Sequence, residues 1–438
     1  MDLRDIKRII SESSVQYLLL QFTDVLGNLK GVEVGSSGLD HVLTKPLPID
    51  ASSVIGRFRT KETDGCLRPD PDTFAVLPFD REGIRGARLI SDLIKTDGEP
   101  DNTCPRQILR TVVAQLKDRG LEFRIAPEVE FYIFQRTRDG GATLETNDAS
   151  GYFDFVADEP GHAFRRELVS VLEQFGMEIR QAHHEAAPGQ HEIDLGPLNP
   201  LACADSIITL RYAAKALALK HGLIATFMPK PIYATAGSGM HLSFSVRESG
   251  ADPFAGTRGG LSRLAKAFIG GVLAHAEGLC MLLNPLVNSY KRLVPGHEAP
   301  THVYWSRGNI EPYLRVPDRN GGDVLLEVRS PDPSCNPYLS IAALLAAGFD
   351  GVETNADPGE PIEKELGRLS GRERARLRVK SLPQNLGEAI EAFGKDRFHL
   401  KVLGPEIART LMRAKREEWE SYIRQVHPWE LDNYLATT

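Results

Sequence analysis

Hydrophobic positions along the chain alternate between the spacing of strands and that of helices. Residues 15–35 contain two apolar, β-rich runs that flank Gly27 and Asn28, a pattern that predicts a β-hairpin. Further short apolar runs follow up to residue 97, with little helical periodicity. From residue 104 onwards, apolar side chains recur at intervals of three and four residues, which is typical of amphipathic helices.

A polar, proline-containing segment at 101–105 separates these two patterns. We therefore predict a small β-rich domain over 1–97 and a large mixed domain over 98–438. The fold class predicted from this order is α+β. Within the second domain, the patterns predict strands at 123–135, 223–233 and 237–246, and two strands joined by a Pro-Gly turn at 183–195. They predict helices at 104–120, 164–177, 204–222, 261–283, 336–353 and 407–426.

Composition narrows the class of protein. The chain has 438 residues with a net charge of −7, which disfavours nucleic acid or an anionic membrane as the main partner. No apolar run approaches the roughly 20 residues of a membrane helix, and the first residues lack the apolar stretch of a signal peptide. The five cysteines are odd in number and form no close pair, which disfavours a disulfide framework. These features predict a reduced, cytoplasmic protein.

Acidic side chains lie inside apolar segments that are predicted to be strands. Glu128 and Glu130 are two residues apart, so a strand places both on one face. The other members of the set are Glu185, Glu192, His241 and Glu327. Carboxylates with one imidazole suit Mg²⁺ or Mn²⁺ better than zinc. The ordinary alternatives are a solvated sheet face for the glutamates and a core position for His241. His183 and His184 are interpreted as structural.

Three arginines lie beside apolar or proline- and glycine-containing segments, namely Arg292, Arg315 and Arg329. The guanidinium fork suits bidentate binding of carboxylate or phosphate, although each arginine could also form a surface ion pair. Cations next to arginines are typical of phosphoryl transfer. The chain contains neither a GxxxxGK[ST] loop nor a GxGxxG segment after a strand, which disfavours a P-loop enzyme and a Rossmann dehydrogenase.

Long segments of the chain match a known pattern in order: FTDVLGNLKGVEV, DASSVIGRF, RPDPDTFAVLPF, APEVEFYIF, HHEAAPGQHEIDL, GSGMHLSFS, NPLVNSYKRLVPGHEAP and LEVRSPDPSCNPYLSIAALLAAGFDG. Through these segments the chain resembles type I glutamine synthetase nearly from end to end. The resemblance implies an N-terminal β-grasp domain and a catalytic domain on a curved antiparallel sheet flanked by helices. It also implies a homo-oligomer, a dodecamer of two hexameric rings with active sites between neighbouring subunits.

The resemblance implies a ligase that joins the γ-carboxylate of glutamate to an amine through a γ-glutamyl phosphate, with ATP as substrate and two Mg²⁺ or Mn²⁺ per site. It implies that Glu130, Glu185 and Glu192 bind one metal and that Glu128, His241 and Glu327 bind the other. It implies that Asp50, Glu298 and Arg292 are catalytic. Substrate binding is implied for Gly237, Arg292 and Arg329, and ATP binding for Ser245 and Arg315. Asp50 is expected to act in the site of the adjacent subunit.

The chain departs from the family pattern on the nucleotide side. Ala236 and Ser243 replace an asparagine and a histidine, and Ile310 and Leu325 stand where arginines are usual. Three explanations remain open: another cation such as Arg307 compensates; the amine or the acid differs, for example an alkylamine or polyamine in place of ammonia; or the protein is a weakly active or non-catalytic relative with a binding or structural role. Retention of the complete ligand set argues against the last.

Overall fold

A computed structural model describes residues 1–53, 64–79, 83–155, 160–318, 321–366, 369–377 and 379–438. The second half of the DASSVIGRF segment lies outside these ranges. Seventeen strands are formed in the described residues, in the order β1 Tyr17–Thr23, β2 Leu29–Gly35, β3 Leu47–Asp50, β4 Asp64–Pro69, β5 Ala75–Val76, β6 Gly86–Ile94, β7 Glu122–Arg136, β8 Ala142–Thr146, β9 Ile179–His184, β10 Gln190–Leu195, β11 Leu223–Thr226, β12 Met240–Arg247, β13 His302–Val303, β14 Trp305–Ser306, β15 Leu314–Arg315, β16 Leu326–Val328 and β17 Lys380–Ser381.

The α-helices of the described residues are α1 Leu3–Glu12, α2 Leu39–Thr44, α3 Pro105–Lys117, α4 Pro160–Gln174, α5 Pro200–Lys220, α6 Arg263–Ala274, α7 Ala276–Leu283, α8 Ser289–Arg292, α9 Pro337–Thr354, α10 Gly371–Leu377, α11 Leu386–Lys395, α12 Phe398–Leu403, α13 Pro405–Ile423 and α14 Pro428–Tyr434. Several begin with proline in the first turn after an asparagine cap, as at Asn199 and Asn336. Proline suits this position because its missing N–H has no helical partner there.

The N-terminal sheet has six strands in the order β2-β1-β6-β4-β3, with β5 on β6. The predicted hairpin is confirmed: β1 and β2 pair antiparallel, and Gly27 at its turn has a φ of +87°. β1 and β6 pair in parallel. The sequence reading gave little helix in this part, but α1 caps the sheet by burying Ile6 completely.

The second sheet, called the catalytic sheet after the domain that the resemblance implies, has nine strands in the order β14-β15-β16-β12-β7-β10-β9, and both β8 and β11 also pair with β7. The expectation of an α+β fold on a curved sheet flanked by helices is confirmed, with one correction. The sheet is mixed rather than purely antiparallel, because β14 and β15 run in parallel. Fifteen-residue β7 is its central strand and positions the acidic residues described below.

Two predicted elements differ from the structure. The strand predicted at 223–233 is formed only over β11, because the prolines at 229 and 231 remove backbone donors from the rest. The single helix predicted at 261–283 is two helices, α6 and α7, which meet at His275 with a bend of 72°.

No single helix in the described residues is long and apolar enough to cross a membrane; the bent pair α6 and α7 meets the length and composition criteria only when both are taken together.

Buried apolar side chains form two main clusters, one beneath each sheet. Cys104, which follows the predicted domain boundary, packs in the N-terminal cluster. The boundary near residue 98 stays a prediction.

A buried arginine joins the two parts of the chain. Arg106 of α3 binds Asp205 of α5 through Nε and Nη2, at 3.0 and 2.9 Å. The same guanidinium reaches Asp70 and Asp92 of the N-terminal sheet at 2.9 and 2.8 Å. These four charges are at most one fifth exposed, so they depend on each other rather than on water for solvation.

Candidate catalytic and metal-binding site

Most of the predicted acidic residues lie in adjacent cross-strand rows of the catalytic sheet. The prediction that Glu185 lies on a strand is wrong, because β9 ends at His184 and Glu185 begins the connection to β10. Glu130 of β7 is directly opposite Glu192 of β10. Glu128 is directly opposite His241 of β12. Glu327 of β16 is opposite Ser243, one row further along. Because side chains alternate across a strand, these rows present one face, which we call the site face; the intervening side chains, such as Val129, are fully buried on the other.

The first cluster consists of Glu128, His241 and Glu327, whose ligand atoms all lie within 4.8 Å of one another. Nδ1 of His241 is 3.3 Å from Glu128 and 3.7 Å from Glu327. Burial lowers the pKa of His241 well below its usual value, and the charge of Arg329 lowers it further. The imidazole is therefore neutral, as a metal ligand must be.

The second cluster consists of His183, Glu185 and Glu192. Nε2 of His183 lies 3.2 Å from Glu185 and 3.3 Å from Glu192. Glu130 borders this cluster, because it faces Glu192 across the ladder and the charge of Glu185 affects its pKa. The interpretation of His183 as merely structural therefore misses its position beside two of the predicted ligands.

The carboxylates of this second cluster are electrostatically strained. Burial, together with the charge of Glu185, raises the pKa of Glu130 to about 8. Burial and the charge of Glu130 raise the pKa of Glu192 well above its usual value. Burial alone would raise the pKa of Glu185, but hydrogen bonds with His183, Glu192 and the backbone N–H of Ala186 together lower it. Crowded buried carboxylates of this kind are stabilised by a bound cation, and their oxygens suit Mg²⁺ or Mn²⁺.

Two neighbours hold Glu130 in place. The buried amide of Gln190 donates to Oε2 of Glu130 at 2.9 Å and to the Gly237 carbonyl at 3.2 Å. The backbone N–H of Gly239 also donates to Oε2 of Glu130, at 3.0 Å. A Cβ at Gly239 would lie 2.7 Å from Nη2 of Arg292 and 3.1 Å from Oε1 of Glu130. Glycine here therefore leaves room for the guanidinium of Arg292 at its observed position, and a larger residue would displace it.

The three predicted arginines surround the same region. Arg315 and Arg329 both bind Glu327, at 2.6 and 2.5 Å, one on each carboxylate oxygen. Arg292 is 3% exposed and donates to the backbone carbonyls of Ser330 and Arg329 at 2.9 and 3.1 Å. The alternative of surface ion pairs therefore fails for Arg292 and Arg329, since both are buried.

Glu298 is exposed and has a φ of +55°, a left-handed conformation that glutamate rarely adopts. Tyr152 connects it with the second cluster. Burial raises the Tyr152 pKa, and the charges of Glu185, Glu192 and then Glu298 raise it further. Tyr152 is therefore exposed to the charges of both the second cluster and Glu298.

Asp50 lies apart from this arrangement. It ends β3 in the N-terminal sheet, and its side chain accepts hydrogen bonds from the backbone and hydroxyl of Ser52 at 3.1 and 2.6 Å. Ser245, in contrast, lies on the site face of β12, four residues beyond His241. The structure thus brings together the predicted residues of the catalytic sheet, whereas Asp50 is part of the N-terminal sheet.

Comparison with known proteins agrees with this geometry. The family model described as "Glutamine synthetase, catalytic domain" matches residues 102–434, and "Glutamine synthetase, beta-Grasp domain" matches residues 14–96. The chain belongs to the glutamine synthetase family. It is 44% identical to a glutamine synthetase of Thermus thermophilus over 99% of this chain and 98% of the relative. It is 42% identical to that of Staphylococcus aureus over 98% and 97%.

Solved structures give the same result. A structure described as "GmaS/ADP complex-Conformation 1" has a TM-score of 0.89 at 31% identity, over 99% of each chain. The structure "Apo GmaS without ligand" has a TM-score of 0.87 at the same identity and coverage. The chain is thus similar both to proteins named glutamine synthetase and to structures named GmaS.

The sequence analysis missed two further residues of the site face that its own rule could have found. Gln190, Glu192 and Asp194 are two residues apart along β10, as are Glu128 and Glu130 along β7. Asp194 lies opposite Glu128, and burial, followed by the charge of Glu128, raises its pKa to about 6. No sequence pattern could have indicated Gly239, because its role depends on how closely its backbone approaches Glu130 and Arg292 in the folded chain.

A third cluster lies beneath the second and is fully enclosed. Asp148 contacts Nε2 of His184 at 2.8 Å and Nε2 of His191 at 3.4 Å, and all three side chains are at most 1% exposed. Nη1 of Arg165 is hydrogen-bonded to Nδ1 of His191 at 2.7 Å. Nδ1 of His184 lies 2.7 Å from the Glu185 carbonyl. This network fixes the backbone of Glu185 from below, which agrees with the structural interpretation of His184.

Proposed function

We propose that this glutamine synthetase family member joins the γ-carboxylate of glutamate to an amine, with ATP hydrolysed to ADP and phosphate. The observation that carries the proposal is the pair of adjacent clusters on the site face, Glu128–His241–Glu327 and His183–Glu185–Glu192, with Glu130 bordering the second. Their hard oxygen donors fit two Mg²⁺ or Mn²⁺. Such cations neutralise the charge of a transferring phosphoryl group.

Two balanced steps account for the reaction. First, an oxygen of the glutamate γ-carboxylate attacks the γ-phosphorus of ATP, and ADP leaves, which forms an acyl phosphate. Second, the amine nitrogen attacks the acyl carbon, phosphate leaves, and the amine loses a proton. Glu298 is proposed to accept this proton, because it is exposed to incoming substrate and its charge acts on Tyr152 together with those of Glu185 and Glu192.

The arginines are proposed to bind the reacting anions. Arg329 and Arg292 are buried beside the clusters and suit the glutamate substrate. Gly237 is proposed to bind the substrate through its backbone, where a side chain would collide with neighbouring residues. A Cβ at Gly237 would lie 2.7 Å from the Pro229 carbonyl and 2.9 Å from Cγ of Arg292. Arg315 is 30% exposed in its side chain and is proposed to contact phosphate oxygens, with Ser245 on the nucleotide.

The identity of the amine follows less directly from the site. The relatives from Thermus and Staphylococcus are named glutamine synthetases, which favours ammonia. The neighbouring GmaS structures and the departures at Ile310 and Leu325 favour a substituted amine as the second candidate. Arg307 offers little compensation, because its guanidinium lies 3.4 Å from Asp318 at the surface.

We further propose a dodecamer of two hexameric rings in which Asp50 completes the site of a neighbouring subunit. The support is that Asp50 lies at the end of β3 in the N-terminal sheet, where it accepts hydrogen bonds from Ser52. Its expected role in binding the amine would therefore be met in the site of a neighbouring subunit. Light scattering on the purified protein tests the subunit number. Mixing an Asp50→Ala chain with a Glu327→Ala chain tests the shared site, since mixed rings regain activity only if the two residues act across subunits.

Phosphate release tests the reaction itself. The protein is incubated with ATP, glutamate and Mg²⁺ or Mn²⁺ across ammonia, methylamine, ethanolamine and putrescine, and the amide is identified by mass spectrometry. We expect amine-dependent phosphate release and a γ-glutamyl amide with at least one of them. Absence of turnover with every amine, despite cation binding, would contradict the ligase proposal and favour a binding or structural role.

A further inference from the structure

Glu185 is held in place differently from the other predicted ligands. The others lie on strands of the catalytic sheet, namely Glu128 and Glu130 on β7, Glu192 on β10, His241 on β12 and Glu327 on β16. Glu185 instead belongs to the connection 185–189 between β9 and β10. The position of its carboxylate in the second cluster therefore depends on the contacts that hold this connection.

The third cluster holds both ends of the connection. At one end, Nδ1 of His184 lies 2.7 Å from the carbonyl oxygen of Glu185, and Nε2 of the same ring lies 2.8 Å from Oδ1 of Asp148. At the other end, the backbone N–H of Gly189 donates to the same Oδ1 at 2.7 Å. Because Asp148 follows β8, it ties both ends of the connection to a third segment of the chain.

The contact between Gly189 and Asp148 leaves little room for adjustment. A Cβ at Gly189 would lie 2.8 Å from the Ile133 carbonyl oxygen and 2.9 Å from Cβ of Thr146. The hydroxyl of Thr146 in turn donates to the backbone carbonyl of Asp148 at 2.7 Å. The connection is therefore held closely against β7 and β8 on the side away from the Glu185 carboxylate.

The third cluster is a hydrogen-bonded network rather than a third cation site. Its ligand atoms lie within 4.8 Å of one another, as in the other two clusters. However, Nη1 of Arg165 lies 2.7 Å from Nδ1 of His191, and a guanidinium at this distance repels a metal cation. Since arginine can only donate, Nε2 of His191 carries the ring hydrogen, and it faces Oδ2 of Asp148 at 3.4 Å.

We propose that Asp148 and His184 are positioning residues for the second cluster, which raise its affinity for a divalent cation and leave that of the first cluster unchanged. The proposal rests on the proposed function, since it assumes one cation at each cluster. The first cluster is held by other contacts, because Arg315 and Arg329 each bind one oxygen of Glu327. Loss of a residue that orients a metal ligand typically weakens metal binding by about 10-fold to 100-fold.

Titration with Mn²⁺, followed by electron paramagnetic resonance of the free ion, tests this assignment without turnover. His184→Ala should weaken one of the two bound Mn²⁺ by about 10-fold to 100-fold and leave the other unchanged. His184→Asn should restore part of this affinity, because its amide nitrogen can take the place of Nδ1 and donate to the Glu185 carbonyl. Asp148→Asn should weaken the same Mn²⁺, because an amide offers one acceptor oxygen in place of two.

His275→Asn is the matched control. His275 also lies between two aspartates, at 2.6 Å from Asp396 and 3.2 Å from Asp350, but it belongs to the junction of α6 and α7. Its loss is expected to lower the Tm and to leave the binding of both Mn²⁺ unchanged. A purely structural role of His184 would give the same result as this control.

Two double variants identify the ion that is weakened. Glu327→Ala removes a ligand of the first cluster, so the Mn²⁺ that remains belongs to the second, and adding His184→Ala should weaken it. Glu192→Ala removes a ligand of the second cluster, and adding His184→Ala should then leave the remaining Mn²⁺ unchanged.

Unchanged binding of both Mn²⁺ in His184→Ala would overturn the assignment and leave the proposed function intact. Equal weakening of both ions, or no recovery in His184→Asn, would also overturn it, since either result indicates a general loss of structure. Circular dichroism shows whether each variant is folded. If His184→Ala is unfolded, Asp148→Asn, which keeps the shape of aspartate, decides by the same criteria. An unaltered protein that binds no Mn²⁺ would overturn both this proposal and the proposed function.

Discussion

His241 lies directly opposite Glu128 in the register of β12 and β7, and its Nδ1 is 3.3 Å from Oε2 of Glu128. The two residues are 113 positions apart in sequence. The antiparallel ladder alone brings them together, since each faces the same side of a fifteen-residue central strand. This pairing positions the first cluster and with it the third ligand candidate, Glu327.

Replacing Glu327 by alanine should reduce phosphate release by about 100-fold or more, because the first cluster loses a ligand and two arginines lose their shared partner. Phosphate release is measured at saturating ATP and glutamate. Glu145→Gln, on the exposed strand β8 of the same sheet, is the matched control. Light scattering should show an unchanged assembly. Near-normal turnover of Glu327→Ala would refute the ligand assignment.

Replacing Gln190 by methionine should weaken Mn²⁺ binding by about 10-fold to 100-fold, as is usual when a residue that orients a metal ligand is lost. The reason is that the Gln190 amide donates to Glu130 at 2.9 Å. Free Mn²⁺ is measured by electron paramagnetic resonance. Gln181→Met, at an exposed position of β9, should bind Mn²⁺ normally. If both variants bind alike, Gln190 has no role in positioning Glu130.

Replacing Gly239 by alanine should abolish activity without preventing folding. The added Cβ would meet Nη2 of Arg292 at 2.7 Å and Nε2 of His241 at 3.2 Å, so both side chains must move away from the site. Gly38→Ala provides the control, because no atom lies within 4 Å of a Cβ built there. Activity and circular dichroism are measured together. An active, folded Gly239→Ala protein would show that the site tolerates this displacement.

Replacing Arg106 by methionine should lower the free energy of unfolding by about 3–5 kcal/mol, because the change leaves buried carboxylates without their cation. Those carboxylates are Asp70, Asp92 and Asp205. Urea unfolding at pH 7 gives the measurement. Arg110→Ala should cost less than about 1 kcal/mol, since Arg110 is 41% exposed. Equal losses in the two variants would contradict a joining role for Arg106.

The stability of the metal-free protein should depend on the ionisation of Glu130. Its pKa is about 8 in the folded chain, against an ordinary value of 4.5 for glutamate. Between these two pH values Glu130 is protonated in the folded state and ionised in the unfolded state. The contribution of Glu130 to stability is therefore present at low pH and declines as pH rises towards 8. A bound cation removes this loss by favouring the carboxylate.

Thermal unfolding with a chelator or with Mn²⁺, at pH 6 and pH 8, checks this dependence. The increase in Tm produced by Mn²⁺ should be larger at pH 8. In Glu130→Gln, the difference between the two pH values should shrink, because the amide does not titrate. An increase that is the same at both pH values in the unaltered protein would exclude Glu130 from cation binding.

Local pattern in the sequence determined much of this protein. Alternation along 123–135 predicted that Glu128 and Glu130 share a face, and helical spacing predicted α3, α4, α5 and α9. These predictions succeed because strand and helix geometry depend on neighbouring residues. The bend at His275 and the burial of Ile6 beneath the N-terminal sheet depend on packing partners, so local pattern could not indicate them.

Most elements, the chemical types of the ligands and, through the ordered motifs, the family follow from the residue pattern. Which side chains meet depends on the three-dimensional arrangement: His183 and Asp194 join the predicted carboxylates, and Gly239 leaves room for Arg292. Strand register and sheet order are set by the pairing of distant segments, and a one-residue change in register would turn the side chains of a strand to the opposite face.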